Sequence, residues 1–231
     1  HVRPVIPSRI GPDLKVWELV DNHFNAYNAA RLREACLIYS EKILRDDVII
    51  ALGVSGALTP AGLGGSSLTP LREHGFVEWI VSTGANLYHD VHFALGIAPQ
   101  QTSPFADDDA LRKRDLVRIY DLLLSNDDLL CTDRFIEEVM AQPELQRKMG
   151  TAELHYLLGK YLAKREDELG LPRRTVLSAA YRCGVPVYTS SPGDSSIGMS
   201  VAVLEALGNK LEIDMSRDVH ETAAIVLAAN K

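Results

Sequence analysis

Three short segments rich in Gly, Ser and Thr each directly follow a run of residues predicted to form a strand. They are Gly53-Val-Ser-Gly-Ala, Ser82-Thr-Gly-Ala-Asn and Ser190-Ser-Pro-Gly-Asp-Ser-Ser. In open α/β sheets, ligands bind at the carboxyl ends of the strands, where small residues let backbone N–H groups approach a phosphate. A helix that starts there adds the positive end of its dipole. The segments therefore predict a dinucleotide or phosphate site, in which Asp194 could accept hydrogen bonds from a ribose hydroxyl.

The alternative is that these segments are ordinary turns, because Gly and Ser close βα units whatever the function. No GxGxxG and no Walker A sequence is present, so the chain has neither the standard Rossmann fingerprint nor a P-loop. No serine lies in a G-x-S-x-G elbow, and no cysteine is flanked by groups that would lower its pKa. The residue types thus point to ligand binding and show no nucleophile–base pair.

The segment Tyr88-His-Asp-Val-His places two imidazoles three residues apart. On a helix, His89 and His92 would share a face, and with Asp90 they could hold a metal ion. No further ligand with suitable spacing follows, so we predict no metal. The alternative is the start of a helix, with Asp90 favourable near its positive end.

Composition limits the possible partners. The 231 residues carry 24 Lys and Arg against 31 Asp and Glu, a net charge of -7, which argues against nucleic-acid binding and would suit a cationic partner. No apolar run approaches the roughly 18 residues of a membrane helix, so no membrane partner is predicted. The three cysteines are odd in number and widely spaced, which indicates reduced, partly buried thiols in a cytoplasmic protein.

The elements that position these residues alternate between strands and helices. Strands are predicted at 48–53, 77–82, 185–189 and 211–214, and a last one at 223–228. Helices are predicted between them, among them 133–148 and 151–170, whereas the polar residues 98–115 indicate a loop. This alternation is typical of an α/β domain with a mainly parallel sheet. Residues 1–14, rich in Pro and Gly, are predicted to form an extended N-terminal arm, and residues 15–231 a single domain.

Three of these segments, read with their strands, resemble the deoxyhypusine synthase family, in its bacterial deoxyhypusine-synthase-like and homospermidine-synthase-like branch. They are Ile49-Ile-Ala-Leu-Gly, Trp79 to Asp90, and Val185 to Met199. The resemblance implies a Rossmann-like three-layer NAD-binding fold and a homotetramer with sites at subunit interfaces. It also implies NAD-dependent transfer of an aminobutyl group from the polyamine spermidine to an acceptor amine, which is either putrescine or a lysine of a protein acceptor.

Carried over by position, the resemblance implies six cofactor-binding residues: Ser55, Gly56, Thr83, Gly84, Asp194 and Ser195. It places three residues at the substrate: His89, Asp90 and Met199. Two of these depart from the family pattern. Met199 stands where the synthases have an acidic residue, and His89 stands where they have Glu, so both remove negative charge from the presumed polyamine side.

The imine-forming lysine of the family is expected beyond Lys231, after the segment that matches 223–228. We therefore expect the chain to lack its C-terminal part and to be inactive as it stands. Two alternatives stay open: a non-catalytic paralogue that acts as a scaffold or activator subunit, and another NAD-binding protein that shares only the βα loops.

Overall fold

The computed structural model describes residues 4–172 and 175–229, and the chain divides into two compact units, residues 1–48 and 49–231. In the first unit, residues 4–14 form no helix or strand. Helix α1 spans Val16–His23, and helix α2 spans Tyr27–Ile38 and continues as a π-helical turn to Ile43. The guanidinium of Arg33 on α2 donates hydrogen bonds to Asp21 on α1 at 2.7–3.0 Å, which joins the two helices. The predicted boundary between an arm and a domain at residue 15 stays a prediction.

The second unit contains the remaining elements. Its strands are β1 (Ala51–Val54), β2 (Trp79–Ser82), β3 (Gln100–Gln101), β4 (Leu116–Ile119), β5 (Leu122–Ser125), β6 (Lys148–Met149), β7 (Val187–Tyr188) and β8 (Glu212–Ile213). Its helices are α3 (Thr69–Glu73), α4 (Gly84–Ala94), α5 (Asp108–Arg112), α6 (Asn126–Met140), α7 (Thr151–Glu168), α8 (Val176–Cys183), α9 (Ser196–Ala206) and α10 (Met215–Ala229).

The central sheet has the strand order β1-β2-β7, and all its strands are parallel. Ala51 pairs with Trp79, Val54 with Ser82, and Ile80 with Val187. A second parallel pair joins β6 to β8, whereas β3, β5 and β4 form an antiparallel sheet. The prediction of an α/β chain with a mainly parallel sheet is confirmed.

The core lies where helices cover the central sheet. It contains apolar side chains from β2, β7, α4, α6, α7 and α8, which include Ile80, Val187, Val91, Ile136, Leu158 and Leu177. Removing such side chains from water supplies the main driving force for this packing. Helix α6 begins at a capping box in which Ser125 and Asp128 each accept a hydrogen bond from the other's backbone N–H, at 3.1 and 2.9 Å.

Three predicted elements are corrected. The last predicted strand, 223–228, lies inside helix α10, because Asp214 accepts from the N–H groups of Ser216 and Arg217 and the alanines that follow favour a helix. The predicted loop 98–115 contains β3 and α5, and α5 starts where Asp107 caps it. The predicted helix 133–148 corresponds to α6, which begins earlier, at Asn126, and already ends at Met140, whereas Lys148 belongs to β6. In the part of the chain that the structure describes, no helix has the length and apolar character that crossing a membrane requires.

Candidate functional site

The three predicted loops lie at one edge of the central sheet. Because β1, β2 and β7 are parallel, their carboxyl ends share an edge, and each loop leaves from there. The Thr83 hydroxyl donates to the Gly56 carbonyl at 2.6 Å, which joins the second loop to the first. Gly56 has a φ of +68°, a conformation that glycine adopts without strain. The structure therefore brings two of the predicted cofactor segments into direct contact.

Asn86, which the sequence analysis did not single out, fixes this contact. Its buried side chain accepts from the backbone N–H of Leu58 at 2.6 Å and donates to the Thr83 hydroxyl at 3.1 Å. Its own carbonyl accepts from the Thr59 hydroxyl at 2.6 Å. Asparagine suits this role because its amide both donates and accepts. The only sequence signal was its position at the end of the second Gly/Thr segment.

The third loop packs against the first turn of α4. A Cβ atom added at Gly84 would lie 2.1 Å from Ser195 Oγ, so only glycine fits at this contact. Ser195, which is 5% exposed, donates to the Pro192 carbonyl at 3.1 Å. Gly198 is equally constrained, since an added Cβ would lie 1.9 Å from that same carbonyl oxygen. The close approach of Gly84 to the Ser195 side chain thus joins the second and third loops.

The same edge presents the chemical groups that a nucleotide needs. The side chain of Thr83 does not cap α4, so it does not occupy the N–H groups of the first turn, which lie at the positive end of the helix dipole. Ser55, Gly56 and Asp194 are exposed, and Gly53, Gly56 and Gly193 each have open space where a side chain would start. The residues present therefore fit a dinucleotide such as NAD.

A buried chain of hydrogen bonds connects the start of the third loop to helix α10. The Thr189 backbone N–H donates to the Thr151 hydroxyl at 3.0 Å, and this hydroxyl donates to Asp218 of α10 at 2.6 Å. Asp218 also accepts from the Thr151 N–H at 2.8 Å, and burial raises its pKa. Helix α10 thus stabilises the loop that carries Asp194, a link that a strand prediction for residues 223–228 could not anticipate.

His89 and His92 lie on α4 and face α6. Nδ1 of His89 is 3.1 Å from Nε2 of His92, and Nδ1 of His92 is 2.7 Å from the Thr132 hydroxyl. Burial lowers the pKa of both imidazoles, that of His92 to about 4. Within residues 4–172 and 175–229, no group of three or more His, Cys, Asp or Glu side chains is placed to hold a metal ion.

Tyr88 joins this face of α4 to α6 and α9. Its hydroxyl donates to Asp133 at 2.8 Å and also lies beside Ser196. Its ring contacts both imidazoles edge-on, with centroid distances of 5.2 and 5.4 Å. The histidines are therefore packed in a defined orientation.

The other two predicted substrate residues lie elsewhere. Asp90 is completely buried, and its Oδ2 accepts from the Leu177 N–H at 3.1 Å at the start of α8. Burial raises its pKa to about 7. Met199 lies on α9 and is 56% exposed. Asp90 thus faces the interior, and its assignment to the substrate site, like that of Met199, stays a prediction.

The predicted burial of the thiols is wrong. Cys36, Cys131 and Cys183 are all exposed, and none of them forms a disulfide within the described ranges. Each lies on a helix, and the Cys183 thiol lies beside the buried Arg72 guanidinium.

The chain is similar to known proteins over nearly its whole length. The family model for deoxyhypusine synthase matches residues 18–231. A "Deoxyhypusine synthase-like protein" from Thermosynechococcus vestitus is 50% identical over 228 residues, which are 99% of this chain and 57% of the relative. "Probable deoxyhypusine synthase 2" from Methanosarcina mazei is 34% identical over 224 residues, which are 96% of this chain and 63% of the relative. The chain thus spans less than two thirds of the length of these relatives.

A solved structure from Entamoeba histolytica, described as that of a candidate deoxyhypusine synthase, has a similar fold. It aligns with a TM-score of 0.62 and 14% sequence identity, and the alignment covers 93% of this chain and 75% of that one. This structural similarity supports the fold, whereas membership of a family rests on the sequence matches. On these matches over nearly its whole length, the chain belongs to the deoxyhypusine synthase family.

Proposed function

We propose that the full-length protein catalyses the NAD-dependent transfer of an aminobutyl group from a polyamine, spermidine, to an acceptor amine. The observation that carries the proposal is the contact of the three loops at the carboxyl edge of the central sheet, with Gly84 packed on Ser195 and Thr83 bonded to Gly56. This is the place where open α/β sheets bind nucleotides. Membership of the family supports the reaction type.

In this proposal, the N–H groups of the first turn of α4 hold the pyrophosphate, and Ser55, Gly56, Thr83 and Ser195 shape the loops around it. Asp194, which is exposed at the end of the third loop, accepts hydrogen bonds from a ribose hydroxyl. When NAD is bound, it supplies the hydride chemistry, and the protein supplies binding and orientation. The residues of α4 and α9 next to these loops then contact the polyamine, His89 and Met199 among them.

We further propose that the full-length protein has the Rossmann-like three-layer arrangement of its family, acts as a cytoplasmic homotetramer with sites at subunit interfaces, and transfers to a small amine or to a protein acceptor. The parallel sheet with helices packed on it supports the first of these. The family supports the assembly and the acceptor classes.

The test is product formation by the full-length protein with NAD, spermidine and putrescine, followed by mass spectrometry for homospermidine and 1,3-diaminopropane. We expect both products in equal amounts. Gly84→Ala should weaken NAD binding in a thermal-shift titration by at least about tenfold, because its Cβ displaces Ser195. Gly11→Ala is the matched control, since no atom lies within 4 Å of its added Cβ. If NAD does not bind to the full-length protein, the proposal is wrong.

A scaffold or activator subunit is the second candidate, and Met199 favours it. A thioether is a poor partner for an ammonium group, and this one is 56% exposed beside the third loop. Mixing the full-length protein with an active synthase separates the two candidates. Co-assembly that raises the partner's activity, without any product from this protein alone, would favour the scaffold.

A further inference from the structure

The histidines of α4 end a hydrogen-bonded chain that begins at a backbone carbonyl. The Thr132 hydroxyl donates to the Asp128 carbonyl at 2.9 Å, and a carbonyl can only accept. A hydroxyl has one proton, so towards His92, 2.7 Å away, Thr132 can only accept. His92 must therefore carry a proton on Nδ1.

The next link follows from the charge of His92. This side chain is completely buried, and burial lowers its pKa to about 4, so the ring is neutral at physiological pH. A neutral imidazole carries one proton, which Nδ1 already holds, so its Nε2 is a bare acceptor. Nε2 lies 3.1 Å from Nδ1 of His89, which must then be the donor.

The last atom of the chain is Nε2 of His89. This ring is also neutral, because burial lowers its pKa, and its only proton sits on Nδ1. Nε2 has no hydrogen-bond partner among the described residues, and unlike the unpaired atoms of Arg72 and Asp90 it is not completely buried, since His89 is half-buried. The other titratable groups packed around the pair are Tyr88 on α4, and Asp128 and Asp133 on α6.

We propose that Thr132 and His92 are positioning residues that hold His89 in a single tautomer, in which its bare Nε2 accepts an N–H from the ligand. A lone pair fixed in this way attracts an amine or a guanidinium and repels a phosphate or carboxylate oxygen. The role as an N–H acceptor follows from the chain of hydrogen bonds, whereas spermidine as the amine rests on the proposed function.

The first measurement reads the tautomers directly. Long-range ¹⁵N–¹H correlation spectra of the histidine-labelled full-length protein at neutral pH distinguish protonated from bare ring nitrogens. His89→Gln and His92→Gln assign the signals. We expect both rings to carry their proton on Nδ1. A proton on Nε2 of either ring would overturn the proposal.

The second measurement compares two substitutions at Thr132. Thr132→Ser keeps the hydroxyl, whereas Thr132→Val has nearly the same shape and removes the acceptor for His92 Nδ1. In Thr132→Val, we expect His92 to move its proton to Nε2, which then donates to His89 and drives the His89 proton to its own Nε2. This change converts His89 from an acceptor to a donor. Unchanged His89 signals in Thr132→Val, despite normal folding, would contradict the positioning role.

The third measurement adds ligand. Spermidine and methylguanidine should shift the His89 Nε2 signal of the wild-type protein, and inorganic phosphate should not. Thr132→Val should weaken amine binding about tenfold, and Thr132→Ser less than about twofold. Binding of methylguanidine but not of spermidine at His89 would retain this inference and overturn the proposed function. Spermidine binding without a shift at His89 would retain the proposed function and overturn this inference. A failure of both amines to shift the His89 signal would also overturn this inference.

Discussion

Helix α4 carries two clusters of buried polar side chains that differ in how completely they are hydrogen-bonded. The histidine cluster, His89, His92 and Thr132, forms an unbroken chain that ends on the Asp128 carbonyl. In the arginine cluster, Arg72 and Asp90, no nitrogen or oxygen atom of the described residues hydrogen-bonds to the guanidinium or to Asp90 Oδ1, and the guanidinium lies beside the Cys183 thiol, a weak acceptor. Arg72, Asp90, His92 and Thr132 are at most 2% exposed, whereas His89 is half-buried.

The difference shows that a complete chain of hydrogen bonds fixes where each proton of a buried site lies. In the histidine cluster each proton has one possible position, so the cluster presents a defined atom to a ligand. In the arginine cluster the cost of burying charge is not offset, and it appears instead as shifted pKa values: burial lowers the pKa of Arg72 and raises that of Asp90 to about 7. We therefore expect the first cluster to govern ligand binding and the second to govern stability.

The largest expected effect is the removal of the Asp90 side chain. Asp90→Ala should lower the free energy of unfolding by about 3–5 kcal/mol, because it leaves the Leu177 N–H unpaired in the core and removes a buried carboxyl group that interacts with Arg72. Urea unfolding measures this loss. Asp90→Asn keeps an acceptor for the N–H and should cost about 1 kcal/mol. Equal losses in the two variants would show that the side-chain acceptor does not matter.

The pH dependence of stability should have opposite signs in the two clusters. The folded state keeps a proton on Asp90 that the unfolded chain releases above its ordinary pKa of 3.8, so this contribution to stability falls as the pH rises from about 4 to 7. His92 behaves in the opposite way. Its ordinary pKa of 6.5 drops to about 4, so the unfolded chain gains a proton first, and stability falls as the pH drops through this range.

Urea unfolding between about pH 4.5 and 7.5 checks these signs. Relative to the wild-type protein, Asp90→Asn should lose less stability as the pH rises, and His92→Gln should lose less as it falls. Each difference is at most about 1.4 kcal/mol per pH unit for one proton. Curves for the two variants that run parallel to that of the wild-type protein would mean that neither group titrates differently in the folded and unfolded states.

The sequence predicted the loop edge well because its signal is local. Each Gly/Ser/Thr segment follows its own apolar run, so the order of strand and loop can be read without tertiary contacts. Helix α10 was mistaken for a strand because the apolar run 223–228 suits a buried strand as well as a helix. The deciding feature was the capping Asp214 far upstream.

The clusters on α4 could not be predicted from the same signals. Thr132 meets His92 from 40 residues away, and Leu177 meets Asp90 from 87 residues away. The spacing of His89, Asp90 and His92 predicted a shared helix and was compatible with a metal ion, which we did not predict, but it did not reveal which neighbours each side chain would face. The distinction between the half-buried His89 and the fully buried carboxyl group one residue later is set entirely by tertiary packing.

The smallest expected effect tests whether Arg72 stabilises the fold at all. Arg72→Met retains much of the side-chain volume and removes a guanidinium that no described nitrogen or oxygen atom hydrogen-bonds and that lies beside only a weak acceptor, the Cys183 thiol, so the free energy of unfolding should change by less than about 1 kcal/mol. It should also raise the pKa of Asp90 further, because the nearby positive charge now lowers it. A loss of more than about 2 kcal/mol in urea unfolding would show that the guanidinium makes net favourable interactions. The arginine cluster would then be satisfied in solution, through water for instance, and the contrast with the histidine cluster would no longer hold.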